Sequence, residues 1–169
     1  MAAFKPKPRS IAMNAKLTAL LLALTVLPAA ASDLVSFPDG KPQDLNNLKA
    51  PVRIINFWGS YCKPCVKEMP EMSAWYKKQK KGSIDLIGIA IDRKENLPPF
   101  LKTTPVSYPI WHYAGKDNRS FMKNLGNSVG ALPFTTVEAV KCGKKEAILG
   151  GVDSKKLDAA VQKVRAECK

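Results

Sequence analysis

The chain has 169 residues, enough for a single domain with a buried core. Lysine and arginine total 27 against 14 aspartates and glutamates, which gives a formal net charge of +13. A balance this basic suits nucleic acid or an anionic membrane face as a partner, but the lysines are dispersed along the sequence. We therefore expect a solvated basic surface and no nucleic-acid partner.

Residues 1–31 have the composition of a secretory signal peptide. A basic stretch that ends at Lys16 precedes an apolar run at residues 17–27, and Ala29–Ala31 offers small residues for cleavage. The apolar run is short for a membrane span. We predict export to the periplasm and a mature domain at residues 32–169, where disulfides persist. The alternative is an uncleaved N-terminal anchor, which leaves the protein attached to a membrane.

The first half of this domain has the pattern of a strand–helix–strand unit. A short strand is predicted at residues 34–37, and nearly continuous apolar runs at residues 52–58 and 84–91 indicate strands buried on both faces. Between them, apolar residues recur at three- and four-residue steps over residues 62–81, which predicts a helix that Pro70 should kink. Short links of this kind favour a right-handed parallel crossover.

The second half mixes shorter elements. Pro109 suggests that the strand predicted around it lies at the edge of the sheet. Gly143 marks the turn of a hairpin. The predicted elements are a helix at 97–102, an edge strand at 108–111, a helix at 118–126, a hairpin of 133–140 with 145–149, and a last helix capped by Asp153 or Ser154.

Cys62, Lys63, Pro64 and Cys65 form a C-x-x-C motif between the first buried strand and the helix that follows. The free N–H groups and positive dipole at a helix start favour a thiolate at Cys62, and a proline costs little there. Half of a zinc site looks the same, and a purely structural disulfide is a further alternative. With no second C-x-x-C and His112 as the single histidine, we expect redox chemistry, no metal site and no cofactor.

Three further segments carry a resemblance to a known family. Residues 56–58 (Asn-Phe-Trp) precede the motif, Glu68 and Pro70 follow it, and residues 130–136 contain glycine, proline and threonines in that order. Together they resemble the exported TlpA/ResA-type thiol–disulfide oxidoreductases. The resemblance implies an α/β, thioredoxin-like fold: a central mixed β-sheet flanked by helices, with an N-terminal extension. Tyr61 departs from the pattern, since relatives usually have tryptophan there.

The resemblance also implies how the two cysteines are used. Cys62 is expected to be the nucleophile and Cys65, one turn further into the helix, the resolving thiol. Pro133 is expected to be a cis proline beside them, with the backbone of Leu132 free to pair with an extended substrate. The alternative is an ordinary trans proline that starts an edge strand.

Other predicted site residues surround this pair. Asn56 cannot accept the proton of Cys65, so Glu68 is a candidate proton acceptor; the alternative is a solvated helical glutamate. The side chains predicted to contact the substrate are Trp58, Tyr61, Lys63, Pro64 and Leu132.

Cys142 and Cys168 lie outside the common pattern of the family. In a thioredoxin-like fold the hairpin turn lies opposite the active site, and the last helix runs back toward the same end. We predict a structural disulfide between these two cysteines, with two free thiols as the alternative.

The predicted function is thiol–disulfide exchange with exported proteins, most simply as a reductant. The resemblance implies apocytochrome c or copper-site proteins as substrates, a membrane electron donor and a monomeric state. A general disulfide oxidant or isomerase, and a copper(I)-binding protein that uses the same cysteines, remain alternatives. A peroxidase would need a threonine-proline-cysteine setting that the sequence lacks.

Overall fold

The computed structural model describes Met1 and residues 32–168, so the predicted leader lies, apart from Met1, outside the described residues. Six strands, four α-helices and two short 3₁₀ turns make up the described chain. The elements are β1 Leu34–Phe37, β2 Val52–Trp58, α1 Lys63–Lys77, β3 Ile84–Ala90, α2 Leu97–Thr103, β4 Ile110–Tyr113, α3 Asn118–Asn124, β5 Phe134–Ala139, β6 Lys144–Leu149 and α4 Ser154–Ala166.

The strands form one mixed sheet in the order β1-β4-β3-β2-β5-β6. β2 pairs in parallel with β3, and β3 with β4, whereas the pairings of β1, β5 and β6 are antiparallel. β2 and β3 are buried over almost their whole length because helices cover both faces, as their continuous apolar runs predicted. The predicted α/β, thioredoxin-like architecture with a central mixed sheet is confirmed.

The predicted edge position of the fourth strand is wrong. β1 pairs antiparallel with β4 through Leu34 with Tyr113 and Phe37 with Ile110, so β4 is an inner strand. Pro109 lies just before β4 rather than within it. Because the missing N–H of Pro109 falls outside the ladder, the proline does not keep another strand from pairing there.

Helix α1 begins directly after Cys62 and is continuous through Pro70. Its buried face includes Cys65, Met69 and Met72, which pack against β2 and β3 in one of two apolar clusters that the sheet separates. The helix ends four residues before the predicted Lys81, because the chain turns between Lys78 and Gly82 to enter β3.

The hairpin of β5 and β6 is tied to the end of α4. Cys142, in the hairpin turn, is bonded to Cys168, and their Cα atoms lie 5.7 Å apart. This confirms the predicted pairing at the end of the sheet opposite the C-x-x-C motif. Among the described helices, none combines the length and the apolar composition that a membrane crossing requires.

Candidate active site

Cys62 and Cys65 lie where β2 leads into α1. They form a disulfide, with Cα atoms 5.3 Å apart. Cys62 is the N-cap of α1, and its Sγ accepts a hydrogen bond from the backbone N–H of Cys65 at 3.3 Å. Cys62 retains 8% of its exposure, whereas Cys65 retains none. The outer sulfur can therefore meet a partner while the inner one lies behind it.

The start of α1 favours a thiolate on the outer sulfur. The first N–H groups of a helix have no partner within the helix, and its N-terminus carries a partial positive charge. Cys62 is placed at this position, and no acidic residue lies in the first turn. Lys63 and Pro64 of the same turn are exposed. Reduced Cys62 is thus set up to ionise more readily than an ordinary cysteine.

Asp92 holds the loop that precedes Cys62. Its carboxylate accepts hydrogen bonds from the backbone N–H of Ser60 at 2.7 Å and from the Ser60 hydroxyl at 2.6 Å. Burial alone would raise the pKa of Asp92, but the hydrogen bonds from Ser60 and Asn96 outweigh it, so the pKa lies below its ordinary value. Asp92 was not among the predicted site residues, although its place just after a buried strand is a recognisable sequence signal.

A groove of about 570 Å³ opens beside Cys62. It brings together five of the predicted site residues, Tyr61, Cys62, Lys63, Pro64 and Leu132. The side chain of Tyr61 is 68% exposed, and its hydroxyl donates to the carbonyl oxygen of Ile91 at 3.2 Å. The lining residues that the sequence analysis missed are Ile91, Asn118, Met122 and Gly130.

Pro133 follows the groove residue Leu132 at the start of β5. The Leu132–Pro133 peptide bond is cis, as predicted, so the trans alternative does not apply. Pro133 is buried, and its carbonyl oxygen accepts the backbone N–H of Gly150 at 2.9 Å. Leu132 is half-buried and lines the groove next to Cys62.

Glu68 is buried beneath the site, with 4% of its surface exposed. Its two carboxylate oxygens accept hydrogen bonds from the side-chain amide of Asn56 and from the backbone N–H of Val152, each at 2.8 Å. Burial raises the pKa of Glu68, and these hydrogen bonds offset only part of that effect. The alternative of a solvated helical glutamate is therefore wrong.

Trp58 does not reach the groove. Its side chain is fully buried, and its ring stacks on Phe100 with centroids 5.2 Å apart. A predicted contact between Trp58 and a substrate is corrected, because a residue with no exposed surface cannot touch a partner directly. Trp58 instead packs in the cluster that contains Cys62 and Cys65 and supports them from below.

The rest of the described residues offer no second reactive site of this kind. A hollow of about 640 Å³ lies between the segment at residues 42–47 and α3, but no cysteine lines it. Within residues 32–168, no three histidine, cysteine, aspartate or glutamate side chains gather closely enough to hold a metal ion. The groove at Cys62 is therefore the place where reactive sulfur and a surface for a partner coincide.

Comparison with known proteins agrees with this geometry. The protein-family model described as the AhpC/TSA family matches residues 29–134. A thiol-disulfide oxidoreductase named ResA from Bacillus cereus is 34% identical over 138 residues, which cover 80% of this chain and 76% of the relative.

Solved structures are similar over the same region. A thioredoxin-related protein from Neisseria meningitidis serogroup B is 56% identical with a TM-score of 0.76, over 79% of this chain and 98% of that one. A thioredoxin-family thiol:disulfide interchange protein from Chlorobium tepidum is 25% identical with a TM-score of 0.60, over 82% and 99%. The chain therefore belongs to the AhpC/TSA family of the thioredoxin superfamily and is a thiol–disulfide oxidoreductase of the ResA type.

Proposed function

We propose that this oxidoreductase reduces disulfides in selected exported proteins, and that it does so as a monomer in the periplasm. The observation that carries the proposal is the pair of sulfurs at the start of α1. Cys62 borders a groove, and Cys65 is fully buried directly behind it. This arrangement suits a reaction in which one sulfur meets the partner and the other completes the exchange.

The first step uses the reduced enzyme. The Cys62 thiolate attacks one sulfur of a partner disulfide, so a bond forms between Cys62 and the partner while the partner's own S–S bond breaks. The partner sulfur that leaves takes a proton from solvent. The hydrogen bond from the Cys65 N–H to the Cys62 Sγ supports the thiolate before the attack.

The second step releases the partner. Cys65 gives up its proton and its sulfur attacks the Cys62 Sγ, which breaks the bond between Cys62 and the partner. The second partner sulfur leaves as a thiolate and takes a proton from solvent. Two electrons have then passed from the cysteine pair to the partner. A membrane electron donor restores the dithiol by supplying two electrons, and two protons accompany them.

Glu68 is the proposed acceptor of the Cys65 proton. It lies three residues after Cys65 on the buried face of α1, so both side chains point toward β2. The raised pKa of its carboxyl brings proton acceptance closer to neutral pH than for an exposed glutamate. Asn56, which donates to Glu68, holds the carboxylate in place and cannot itself take the proton.

The partner is proposed to lie in the groove. Leu132 supplies backbone for pairing with an extended segment, and Tyr61, Lys63 and Pro64 contact the residues around the partner cysteine. Tyr61 offers an exposed aromatic ring, which supplies contact area at low cost in conformational entropy. Apocytochrome c and copper-site proteins of oxidase assembly are the substrate classes that the resemblance favours.

A trapping experiment tests the division of labour. In a Cys65→Ser variant the second step cannot occur, so mixed disulfides with partners should accumulate through Cys62 and be recovered from the exporting host under non-reducing conditions. A Cys62→Ser variant is the matched control and should trap nothing. The roles are wrong if the control traps as much as the Cys65→Ser variant.

The direction of the reaction needs a second experiment. A reductant is distinguished from an oxidant or isomerase by its reduction potential, and by whether it reduces insulin or refolds a protein with scrambled disulfides.

A further inference from the structure

The sheet end opposite the active site gathers residues that are far apart in the sequence. Ile84, Val52, Ala139 and Lys144 lie in register across β3, β2, β5 and β6. With neighbouring strands about 4.8 Å apart, this row spans about 14 Å. β2 and β3 begin here, and the Cys62 motif follows the other end of β2. The row therefore marks the end of the molecule that faces away from the redox pair.

Besides Arg53 and Lys145, which pair with Glu138, eight exposed basic side chains lie in the segments at this end of the sheet. They come from the segment before β2, the end of α1 and the turn after it, the hairpin turn, and the end of α4, which the Cys142–Cys168 bond holds beside the hairpin. This basic end consists of Lys49, Lys77, Lys78, Lys80, Lys81, Lys141, Lys144 and Arg165.

The charge of the basic end is not neutralised by its surroundings. The acidic residues beside this end are Asp85, Glu138 and Glu167. The carboxylate of Asp85 accepts the backbone N–H of Ala50 at 2.8 Å, and Glu138 is paired with Arg53 and Lys145, which are not counted in the basic end. Three ion pairs occur among residues 32–168, and none of them involves a residue of the basic end. The positive charges therefore add up over a small area.

At the active-site end, basic and acidic residues are nearly equal in number. Its loops at residues 59–63, 91–96, 114–119 and 150–153 carry five basic and four acidic residues. The positive charge of residues 32–168 is thus concentrated at one end and is not spread evenly over the surface. The sequence hides this because the eight residues come from four separate segments that only the fold brings together.

We propose that the basic end binds the anionic lipid headgroups of a membrane surface. In this orientation the redox groove, at the opposite end of the sheet, faces away from the membrane. Lysines next to an anionic bilayer gain favourable energy residue by residue, within the reach set by salt screening. Seven of the eight residues are lysines, which suit diffuse attraction to headgroups, whereas arginine forks are preferred for reading phosphates in nucleic acid.

The composition of the basic end also argues against nucleic acid. Single-stranded binders stack bases on exposed aromatic rings beside the basic residues. In the described segments of the basic end, the exposed large apolar side chain is Val140, which is not aromatic. The exposed aromatic ring of Tyr61 lies at the other end of the molecule. With little apolar surface to insert, the attachment should be reversible and sensitive to salt.

The proposal is tested by measuring how much of the purified exported protein sediments with lipid vesicles. Binding to vesicles that contain phosphatidylglycerol should be clear at low salt, weak at about 0.5 M salt, and absent with phosphatidylcholine alone. A variant with Lys77, Lys78, Lys80 and Lys81 changed to Gln should bind at least about tenfold more weakly. The matched control changes four exposed lysines outside the basic end, Lys94, Lys102, Lys116 and Lys123, to Gln and should stay within about twofold of the parent.

Several results would overturn the proposal. These are equal loss of binding in the two lysine variants, binding to phosphatidylcholine as strong as to phosphatidylglycerol, or no binding at low salt. Preferential binding of duplex DNA or of an acidic polypeptide over the vesicles would assign the basic end to another partner. Circular dichroism and thermal melting should show both lysine variants folded like the parent. A Cys62→Ser protein should bind vesicles normally, so failure of the redox mechanism and failure of the membrane proposal are distinguishable.

Discussion

The two disulfides of this protein show how position gives one kind of bond two different roles. Cys62–Cys65 joins residues three apart at a helix start, beside a groove and over a buried glutamate. Cys142–Cys168 joins residues 26 apart, a hairpin turn to the end of the last helix, at the opposite end of the sheet. The first has a helix N-terminus that stabilises a thiolate, whereas the second closes a long loop.

The comparison teaches that reactivity depends on what surrounds the sulfur. Cys62 caps α1 and accepts the backbone N–H of Cys65, and Asp92 anchors the loop before it, so a thiolate at Cys62 has a fixed hydrogen-bond donor. The Sγ of Cys142 lies 3.8 Å from the carbonyl oxygen of Ala139, and an acceptor of this kind does not favour a thiolate. Changes at each pair should therefore affect different properties.

The largest expected effect is on activity. Changing Cys62 to Ser should lower the rate of insulin reduction at least about a hundredfold, because Cys62 is the cysteine among the residues that line the groove and the thioether of Met122 cannot replace a thiolate. The double variant Cys142→Ser, Cys168→Ser should keep the rate within about twofold. The measurement is insulin turbidity with excess dithiol, and similar losses in the two variants would contradict the division of roles.

The next effect is on stability. Loss of the Cys142–Cys168 bond should lower the free energy of unfolding by about 3 kcal/mol, because the loop that it closes gains freedom in the unfolded chain. Urea unfolding of the oxidised parent and the double serine variant gives this difference. A change of less than about 0.5 kcal/mol would show that the bond does not constrain the unfolded chain as the chain-entropy model requires.

A smaller effect is expected on how the free energy of unfolding depends on pH. The folded state raises the pKa of Glu68 above its ordinary value of 4.5, so it holds that proton more tightly than the unfolded chain does. The unfolding free energy should therefore fall as the pH rises from 4.5 through the raised folded pKa. Glu68→Gln does not titrate and should remove this slope.

The same variant also tests the proposed proton transfer. Without a carboxylate to accept the proton of Cys65, the second exchange step should slow, and mixed disulfides with Cys62 should last longer. Urea unfolding across the pH range and rapid-quench analysis of the exchange give the two readouts. An unchanged pH slope together with an unchanged exchange rate would leave Glu68 a structural residue.

The smallest effect is expected at Lys63. Its charge is next to Cys62 in sequence but its side chain is exposed, so solvent and salt screen it. Lys63→Gln should slow alkylation of reduced Cys62 by less than about threefold at neutral pH. A tenfold loss would mean that the lysine, and not the start of α1, is the main support of the thiolate.

Local patterns in the sequence predicted what depends on neighbouring residues. The apolar runs gave β2 and β3, the three- and four-residue periodicity gave α1, and Gly143 marked the hairpin turn. The disulfide between Cys142 and Cys168 followed once a thioredoxin-like fold was assumed, because that fold brings the hairpin turn and the last helix to one end.

Features assembled from distant segments were missed. Ile91, Asn118 and Met122 reach the groove from three different parts of the chain, and no local pattern marks them. The predicted edge position of β4 was wrong because a proline before a strand says nothing about a partner strand far earlier in the chain, as Phe37 is to Ile110. Trp58 was assigned a substrate contact because sequence alone does not tell a buried aromatic residue from an exposed one.

The different reactivity of Cys62 and Cys65 is tested most directly by their alkylation rates in the reduced protein as a function of pH. Mass spectrometry of the peptides that contain each cysteine gives the two rates. Cys62 should react well below pH 8.5, the ordinary pKa of a cysteine, while Cys65 should stay protected until the protein unfolds. Equal inertness of the two thiols, or faster alkylation of Cys65, would contradict this prediction.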